Sequence, residues 1–570
     1  MISIMRRAGE SANSPLSRHL IPSLVVLFSF FISPLLSNGA EFYNDWATNH
    51  LSSVPTQSGP TNDPDLDVAA NLAEFAFGTD PLVGEGIGSL IVPSVTTSNG
   101  ALAVNLFEKA GHRPGVQIDL EATADMTNWI QPWWLRTTNS LPGDPAGSVR
   151  EQFTTYLPTS DTFIVRAKIT LVEAGPEIAN YYVATTGNDT TGNGSINQPY
   201  ATLGKVVGLV NPGNLVYMRG GTYPTSGKVS LSRSGAASQP IRVRAFPGEQ
   251  PTFDCSSVPS NTVCLSISGN YWYLYGLVIT NAGSNAIYIS GNNNTVERCV
   301  SYGARNTGIH ISGGSSGSIY PSNNLILNCD VIRSFDAIEH GEDADGFSAK
   351  WNLGSNNVFR GCRAWENSDD GWDLWMGNGP VLIENCWAFR NGSNVWHDVG
   401  FTGNGNGFKL GGGYVGAAHR LVGCLAFQNV GTGGNGIDQN NNALGQTVDQ
   451  NTAWANRQRN FSLRHGTNTT PHIVRNNVSM FGGVVDAFTN TTILVSNSWQ
   501  MAFTPALGTN DFLSMDTSWA VAPRRDDGGL PETPFMRPVP GGRLVDKGAD
   551  LGASFSGSAP DLGASETLVW

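Results

Sequence analysis

From Tyr181 onward, apolar and polar residues alternate in short runs, each closed by glycine or asparagine. Alternation with a period of two marks a β-strand that buries one face. Two such runs recur. The first reads Tyr275-Gly-Leu-Val-Ile, Arg298-Cys-Val-Ser-Tyr, Asn328-Cys-Asp-Val-Ile, Gly361-Cys-Arg-Ala-Trp, Asn385-Cys-Trp-Ala-Phe, Gly423-Cys-Leu-Ala-Phe, Gln450-Asn-Thr-Ala-Trp and Asn476-Asn-Val-Ser-Met. Its second positions run from 276 to 477, a mean step of about 29 residues. The second run interleaves with it at the same step. It reads Ala286-Ile-Tyr-Ile, Gly308-Ile-His-Ile, Gly346-Phe-Ser-Ala, Gly371-Trp-Asp-Leu, Gly407-Phe-Lys-Leu, Gly436-Ile-Asp-Gln and Asn460-Phe-Ser-Leu. Leucine-rich-repeat spacing is absent. Short strands at this period predict a solenoid of parallel strands, an all-β, right-handed parallel β-helix over residues 177–570.

Coils of such a helix stack at ~4.8 Å, so equivalent residues form columns. Cys299, Cys329, Cys362, Cys386 and Cys424 then form an interior ladder that Asn451 and Asn477 continue. This makes them structural thiols rather than disulfides or nucleophiles. Cys255 and Cys264 flank a short loop and are placed to pair in an oxidising compartment. A short helix over Leu203–Leu209 is expected to cap the open core, and Pro560–Ala564 to form the closing coil.

The chain before residue 177 has a different character. Arg6, Arg7 and Arg18 precede the apolar run Leu20–Leu36 and then Ser37-Asn-Gly-Ala40. This is the order of a secretory signal over residues 1–40, cleaved near Gly39 or Ala40. Pro22, Pro34 and the shortness of the run argue against a retained anchor. No later run approaches the ~20 residues a membrane span needs. Residues 41–90 form an acidic linker. Within it Asp63, Asp65, Asp67, Asn71 and Glu74 take positions of an EF-hand-like calcium loop, with Val68 where glycine is required. A short helix at 68–77 follows. Residues 91–176 alternate over Ala101–Phe107, Val116–Leu120 and Thr162–Ile169, which predicts a small β-sandwich-like accessory domain. Its Trp129, Trp133 and Trp134 suit packing better than sugar stacking.

Composition narrows the function. Only 14% of residues are charged and 67 of 570 are glycine, which disfavours long surface helices and favours turns. The net charge of −13 excludes non-specific nucleic-acid binding, which needs clustered lysine and arginine. It also repels an anionic polymer, unless a divalent cation bridges the two. Nothing in the chain asks for a partner subunit, and a monomer is expected.

Against this low charge one cluster stands out. In the second motif Phe347, Trp372, Phe408, Ile437 and Phe461 face inward, so Ser348, Asp373, Lys409 and Asp438 face outward. Asp345, Asp370, Asn406 and Asn435 form the column preceding each glycine, and Asp369 adjoins Asp370. Asp345, Asp369, Asp370 and Asp373 therefore converge, with Lys409 on the next coil. Four carboxylates this close require a cation, and an all-oxygen set suits calcium. Whether the acids or the cation would dominate the Lys409 pKa stays open. His310 falls in the same outward column and is expected at a groove edge or the surface. The loop Ser393–Asn404, with Trp396, His397 and Asp398, either forms a sugar subsite or packs on the helix.

The stretches Asp343-Ala-Asp-Gly-Phe-Ser-Ala-Lys350, Cys362-Arg-Ala-Trp-Glu-Asn-Ser-Asp-Asp-Gly-Trp-Asp-Leu374, Glu384-Asn-Cys-Trp-Ala-Phe-Arg-Asn-Gly392 and Gly403-Asn-Gly-Asn-Gly-Phe-Lys-Leu-Gly-Gly412 resemble the family 9 polysaccharide lyases, the β-helical pectate lyases. The resemblance covers roughly residues 181–570. It implies a secreted enzyme that holds Ca²⁺ with Asp345, Asp369, Asp370 and Asp373 and uses Lys409 as its base. The implied substrate is polygalacturonate, cleaved by β-elimination to 4,5-unsaturated products. Two other readings are a β-helical glycoside hydrolase using Asp369 and Asp370 as paired acids, and a non-catalytic carbohydrate-binding or adhesion protein. Neither gives Lys409 a task.

Overall fold

The computed structural model describes residues 177–464, 470–525, 527–553 and 555–567 in full. Earlier in the chain only strands are described. Ile91–Thr96, Ala101–Glu108, Val149–Tyr156 and Leu135–Asn139 form an antiparallel sheet in that order. Val116–Thr123 pairs antiparallel with Ile164–Leu171, which Val25–Val26 joins in parallel. The rest of the expected leader, the loop containing Asp63, Asp65, Asp67, Asn71 and Glu74, and Trp129, Trp133 and Trp134 lie outside the described residues. The chain divides into two compact units, residues 1–177 with 531–533, and residues 178–530 with 534–570.

The second unit carries the repeats as three parallel sheets. Sheet S1 has 12 strands, from Tyr181–Val183 to Ile493–Val495. Sheet S2 has 10, from Gly221–Pro224 to Val478–Met480, and S3 has 10, from Val229–Leu231 to Ala487–Phe488. The two sequence motifs are S2 and S3. S1 is not separately legible because, in every coil but that of Ile241–Ala245, only two residues part the S1 strand from the S2 strand that follows it. The first of them takes a positive φ, as at Arg298 (51°), Asn328 (54°), Gly361 (64°) and Asn385 (50°), and turns the chain without a loop. Register corrects one alignment. Val278 pairs with Val300, so Leu277, not Gly276, occupies the column of Cys299.

At that corner the second residue points inward, and its side chain accepts the N–H of the equivalent residue on the preceding coil. The donors and acceptors are Cys329 N to Cys362 Sγ (3.4 Å), Cys362 N to Cys386 Sγ (3.4 Å), Cys386 N to Cys424 Sγ (3.3 Å) and Cys424 N to Asn451 Oδ1 (2.9 Å). All five cysteines are free and buried, and burial pushes the Cys329 and Cys386 thiols up. Cys255 and Cys264 form a disulfide. A ladder that the strand pattern concealed lines the S2-to-S3 corner. Asn367, Asn391 and Asn429 each donate both N–H and Nδ2 to the next Oδ1, ending on Asn456, at 2.8–3.2 Å. These bonds satisfy corner groups that no strand partner reaches.

The ends and one side are closed differently. The helix Leu203–Val206, shorter than expected, is capped by Thr202 and buries Leu203 and Val206 in the core. At the other end Trp499 stacks on Phe488 at 5.2 Å and lies 5.1 Å from Phe461. Pro560–Ala564 does not form a closing coil. The outer face of S2 is apolar at Phe389 and Phe427, and the C-terminal segment covers it with Phe512, Phe535, Met536 and Leu562. Gly563 N there donates to Asn476 O (2.8 Å) and Ala564 N to Thr452 Oγ1 (3.0 Å), so the segment lies along the side of the coils. Arg363 and Arg524 clamp it through buried Asp330, at 2.8 and 2.5 Å, with Arg363 also donating to Ala522 O (2.8 Å).

Replacing Asn391 by Ala leaves the N–H of Asn367 without its acceptor and Ala364 O without the Nδ2 that donates to it, and weakens the hold on Asn367 Nδ2. We expect a loss of about 3 kcal/mol, at ~1–3 kcal/mol per stranded buried group. A denaturant midpoint unchanged from the parent would show that the ladder does not carry the corner.

Candidate active site

The outward column of S3 is set by its inward neighbours. Phe347, Trp372 and Phe408 stack at 4.6 and 4.8 Å inside the helix. Their successors then project outward in register, His310 beside Ser348, Ser348 beside Asp373, Asp373 beside Lys409 and Lys409 beside Asp438. Aspartates enter from the preceding corner. Asp370 accepts Asn406 N (2.7 Å) and Nδ2 (2.8 Å) on one oxygen, and Asn435 N and Nδ2 donate in turn to Asn406 Oδ1, both at 3.2 Å. Asp345 accepts Thr307 Oγ1 (3.1 Å) and Asp370 N (3.3 Å).

One carboxylate oxygen from each of Asp345, Asp370 and Asp373 lies within 4.8 Å of the others. Lys409 Nζ stands 3.0 Å from Asp370 Oδ2 and 3.4 Å from Asp373 Oδ2. It is no surface lysine, its side chain being 13% exposed. Asp369 is buried in the same place but does not join that set. Its oxygens accept main-chain N–H from Asn404 (2.7 Å) and Asp343 (3.1 Å), which fixes the two loops framing the cluster.

A second lysine completes the cluster. Lys350 Nζ lies 2.9 Å from Asp345 Oδ2 and 2.7 Å from Asp373 Oδ2, and is buried more deeply than Lys409. Strand alternation carried the signal, since Lys350 sits two residues after outward Ser348 and pairs with Ser312. His310 corrects an expectation. It is 5% exposed, set between Tyr288 (5.2 Å) and Trp351 (6.0 Å). Burial, with the Lys350 charge, pulls its pKa down to about 3, so it is neutral. In the Ser393–Asn404 loop, Trp396 stacks on Phe335 at 4.5 Å and Asp398 pairs with His340 at 2.9 Å. The loop therefore packs on the segment before Asp343.

The electrostatics report a shortage of positive charge. Burial and the neighbouring carboxylates push Asp345 well above the usual range, despite Lys350. Burial, then Asp369, pushes Asp370 up to about 7. Burial would raise Asp373 too, but Lys350 and Lys409 outweigh it and hold it low. With every group ionised, four buried acids against two lysines would carry a formal charge of −2, and the upward shifts of Asp345 and Asp370 are the response to that excess and to burial. Asp370 Oδ2 is buried and accepts no hydrogen bond, its neighbour being the Lys409 ammonium in ion-pair contact. The set fits one hard divalent cation.

Residues 181–477 match the family described as Pel9A-like, right-handed beta helix region. The chain belongs to this pectate lyase family. Over 400 residues it is 41% identical to pectate lyase L of Dickeya chrysanthemi, a match spanning 68% of this chain and 90% of that one. The crystal structure of pectate lyase Pel9A superposes with a TM-score of 0.61 at 40% identity, covering 68% of this chain and 96% of its own. A rhamnogalacturonan lyase structure superposes at 0.53 with 26% identity, covering 63% and 96%. Membership of a lyase family removes the hydrolase and adhesin readings.

In this lyase the Lys350→Met variant should behave in two opposite ways. Asp345 and Asp373 lose their buried partner, so in chelator the melting temperature should fall by several degrees. The stabilisation on adding a divalent cation should exceed that of the parent, because the vacant charge raises the demand for one. Equal cation-induced shifts in both proteins, measured by thermal denaturation, would contradict this account of the charge.

Proposed function

We propose that the protein is a secreted, calcium-dependent lyase that cleaves polygalacturonate by β-elimination, with Lys409 as the base. The observation that carries this reading is Lys409 in register with Asp373 and in contact with Asp370, inside a buried cluster of four acids and two lysines. Asp345, Asp370 and Asp373 would hold Ca²⁺, with Asp369 keeping the loops around them in place. Bound calcium would offset the repulsion between these acids and the C5 carboxylate of a galacturonate and withdraw charge from it. Lys409 then takes the C5 proton, the electron pair forms the C4–C5 double bond, and the C4–O bond breaks toward the leaving chain. The departing oxygen takes up a proton, either directly from Lys409 or from water, to which Lys409 in turn gives up the proton it removed. No water is added.

The base needs its neutral form. Burial would lower the Lys409 pKa, but the carboxylates of Asp370, Asp373, Asp369 and Asp345 outweigh it and hold the amine well above its usual value. The sign left open by the sequence is therefore upward without the cation. Positive charge added to the cluster pushes the other way. Export is supported by the charged and apolar order of residues 1–40 and by the Cys255–Cys264 disulfide, a bond of oxidising compartments. Among the described residues no helix is long and apolar enough to cross a membrane.

Two measurements test this reading. On unesterified polygalacturonate, near-ultraviolet absorbance from the conjugated double bond should rise in step with new reducing ends. Chelator should abolish both, and Ca²⁺ should restore them better than Mg²⁺, whose octahedral demand is stricter. Reducing ends without absorbance would refute elimination. Second, Lys409→Ala should lose about 10²–10⁴-fold in kcat while keeping its calcium-induced thermal shift. In the parent, kcat/KM should climb with pH above neutrality, and the climb should move to lower pH as Ca²⁺ is raised. A flat profile would remove Lys409 from proton transfer.

A further inference from the structure

Beside the acid cluster the chain exposes aromatic surface that neither the core nor the proposed chemistry uses. Trp375 follows Asp373 by two residues, and its N–H donates to Asp373 Oδ1 at 2.8 Å. The indole is therefore tied to the cluster by main chain. It is 36% exposed. Its bed is the segment Gly411-Gly412-Gly413, which leaves the S3 strand carrying Lys409. A Cβ on Gly412 would lie 2.3 Å from Trp375 Cδ1, so only glycine lets this backbone pass under the ring. The same segment presents Tyr414, which is 75% exposed, at the tip of the turn closed by the Gly412–Val415 bridge.

Behind Trp375 the row continues toward earlier coils. Trp351 meets it edge-on at 6.2 Å, His310 lies 6.0 Å beyond, and Tyr288 lies 5.2 Å beyond that. Trp351 (φ 60°) and Tyr414 (φ 59°) both sit in the left-handed region, which disfavours bulky residues. His310 is buried and neutral, so it backs the row without adding charge, while Tyr288 and Trp351 stay partly exposed.

We propose that Trp375, backed by Trp351 and flanked by Tyr414, is a stacking platform for the apolar C–H face of a pyranose in the sugar chain, next to the unit whose proton Lys409 removes. This rests on the lyase reading. A rigid ring beside the cluster holds the neighbouring sugar at a set distance, where a flexible cation would instead pair with its carboxylate. The platform therefore contributes affinity and register rather than chemistry, and its effect falls on KM.

The Lys409→Ala protein, titrated with oligogalacturonate in Ca²⁺, tests the platform apart from turnover. Tryptophan emission should change on binding. Adding Trp375→Ala should weaken binding by about three- to tenfold, the range of an aromatic contact, and Trp375→Tyr should restore most of it. Gly412→Ala should reproduce the loss by displacing the indole. The calcium-induced thermal shift should stay at the parent value in all three, which separates lost stacking from lost folding. With Lys409 in place, Trp375→Ala should raise KM by a similar factor and leave kcat within about twofold. Binding by Trp375→Ala equal to its parent, or no binding by the parent at all, would overturn the platform. Elimination by the wild type, followed by absorbance in parallel, reports on the lyase reading separately.

Discussion

Everything in this molecule depends on keeping parallel coils in register at corners too tight for main-chain hydrogen bonds alone. Each corner leaves N–H groups that no neighbouring strand accepts. Buried side chains accept them, one coil after another, through the cysteine column, its continuation in Asn451 and Asn477, and the Asn367–Asn456 column. A slip by one residue would exchange inward and outward faces throughout S3. The ladders and the stacked rings of Phe347, Trp372 and Phe408 exclude that slip, and the outward column inherits their precision.

The acid cluster draws on that rigidity. Like charges held near one another in a buried place repel, and a flexible chain would separate them. Here Asp370 is fixed by Asn406, Asp345 by Thr307 and Asp373 by the N–H of Trp375. Burial first, and the neighbouring carboxylates after it, then raise the Asp345 and Asp370 pKa values. Lys350 and Lys409 offset half of the formal negative charge, and the remainder is what one divalent cation would offset. The two lysines divide the work by position. Lys350 bridges Asp345 and Asp373 from within the same sheet, while Lys409 comes from the next coil and stands at the cluster's edge.

Much of this was legible in the chain. Alternation with inward aromatics placed Asp373 and Lys409 on one face, and the glycine corners placed Asp345 and Asp370 beside them. The cysteine column followed from the repeat alone. Lys350 is legible by the same alternation, two residues after outward Ser348. His310 falls in the expected column but at a different depth, since Tyr288 and Trp351, from the coils on either side, enclose it.

Sequence by itself determined the architecture, the strand faces and which acids share a column, because a repeating fold turns linear period into spatial neighbourhood. Tertiary structure alone decided three other matters. It separated Asp369 from Asp345, Asp370 and Asp373, because the Asn404 and Asp343 main chain that takes its oxygens belongs to loops of unequal length. It sent the C-terminal segment along S2 instead of across the end, because only the assembled sheet shows the apolar face needing cover. It set the sign of the Lys409 shift, which depends on how closely four carboxylates approach one amine, and a distance between coils is not written in the period of a chain.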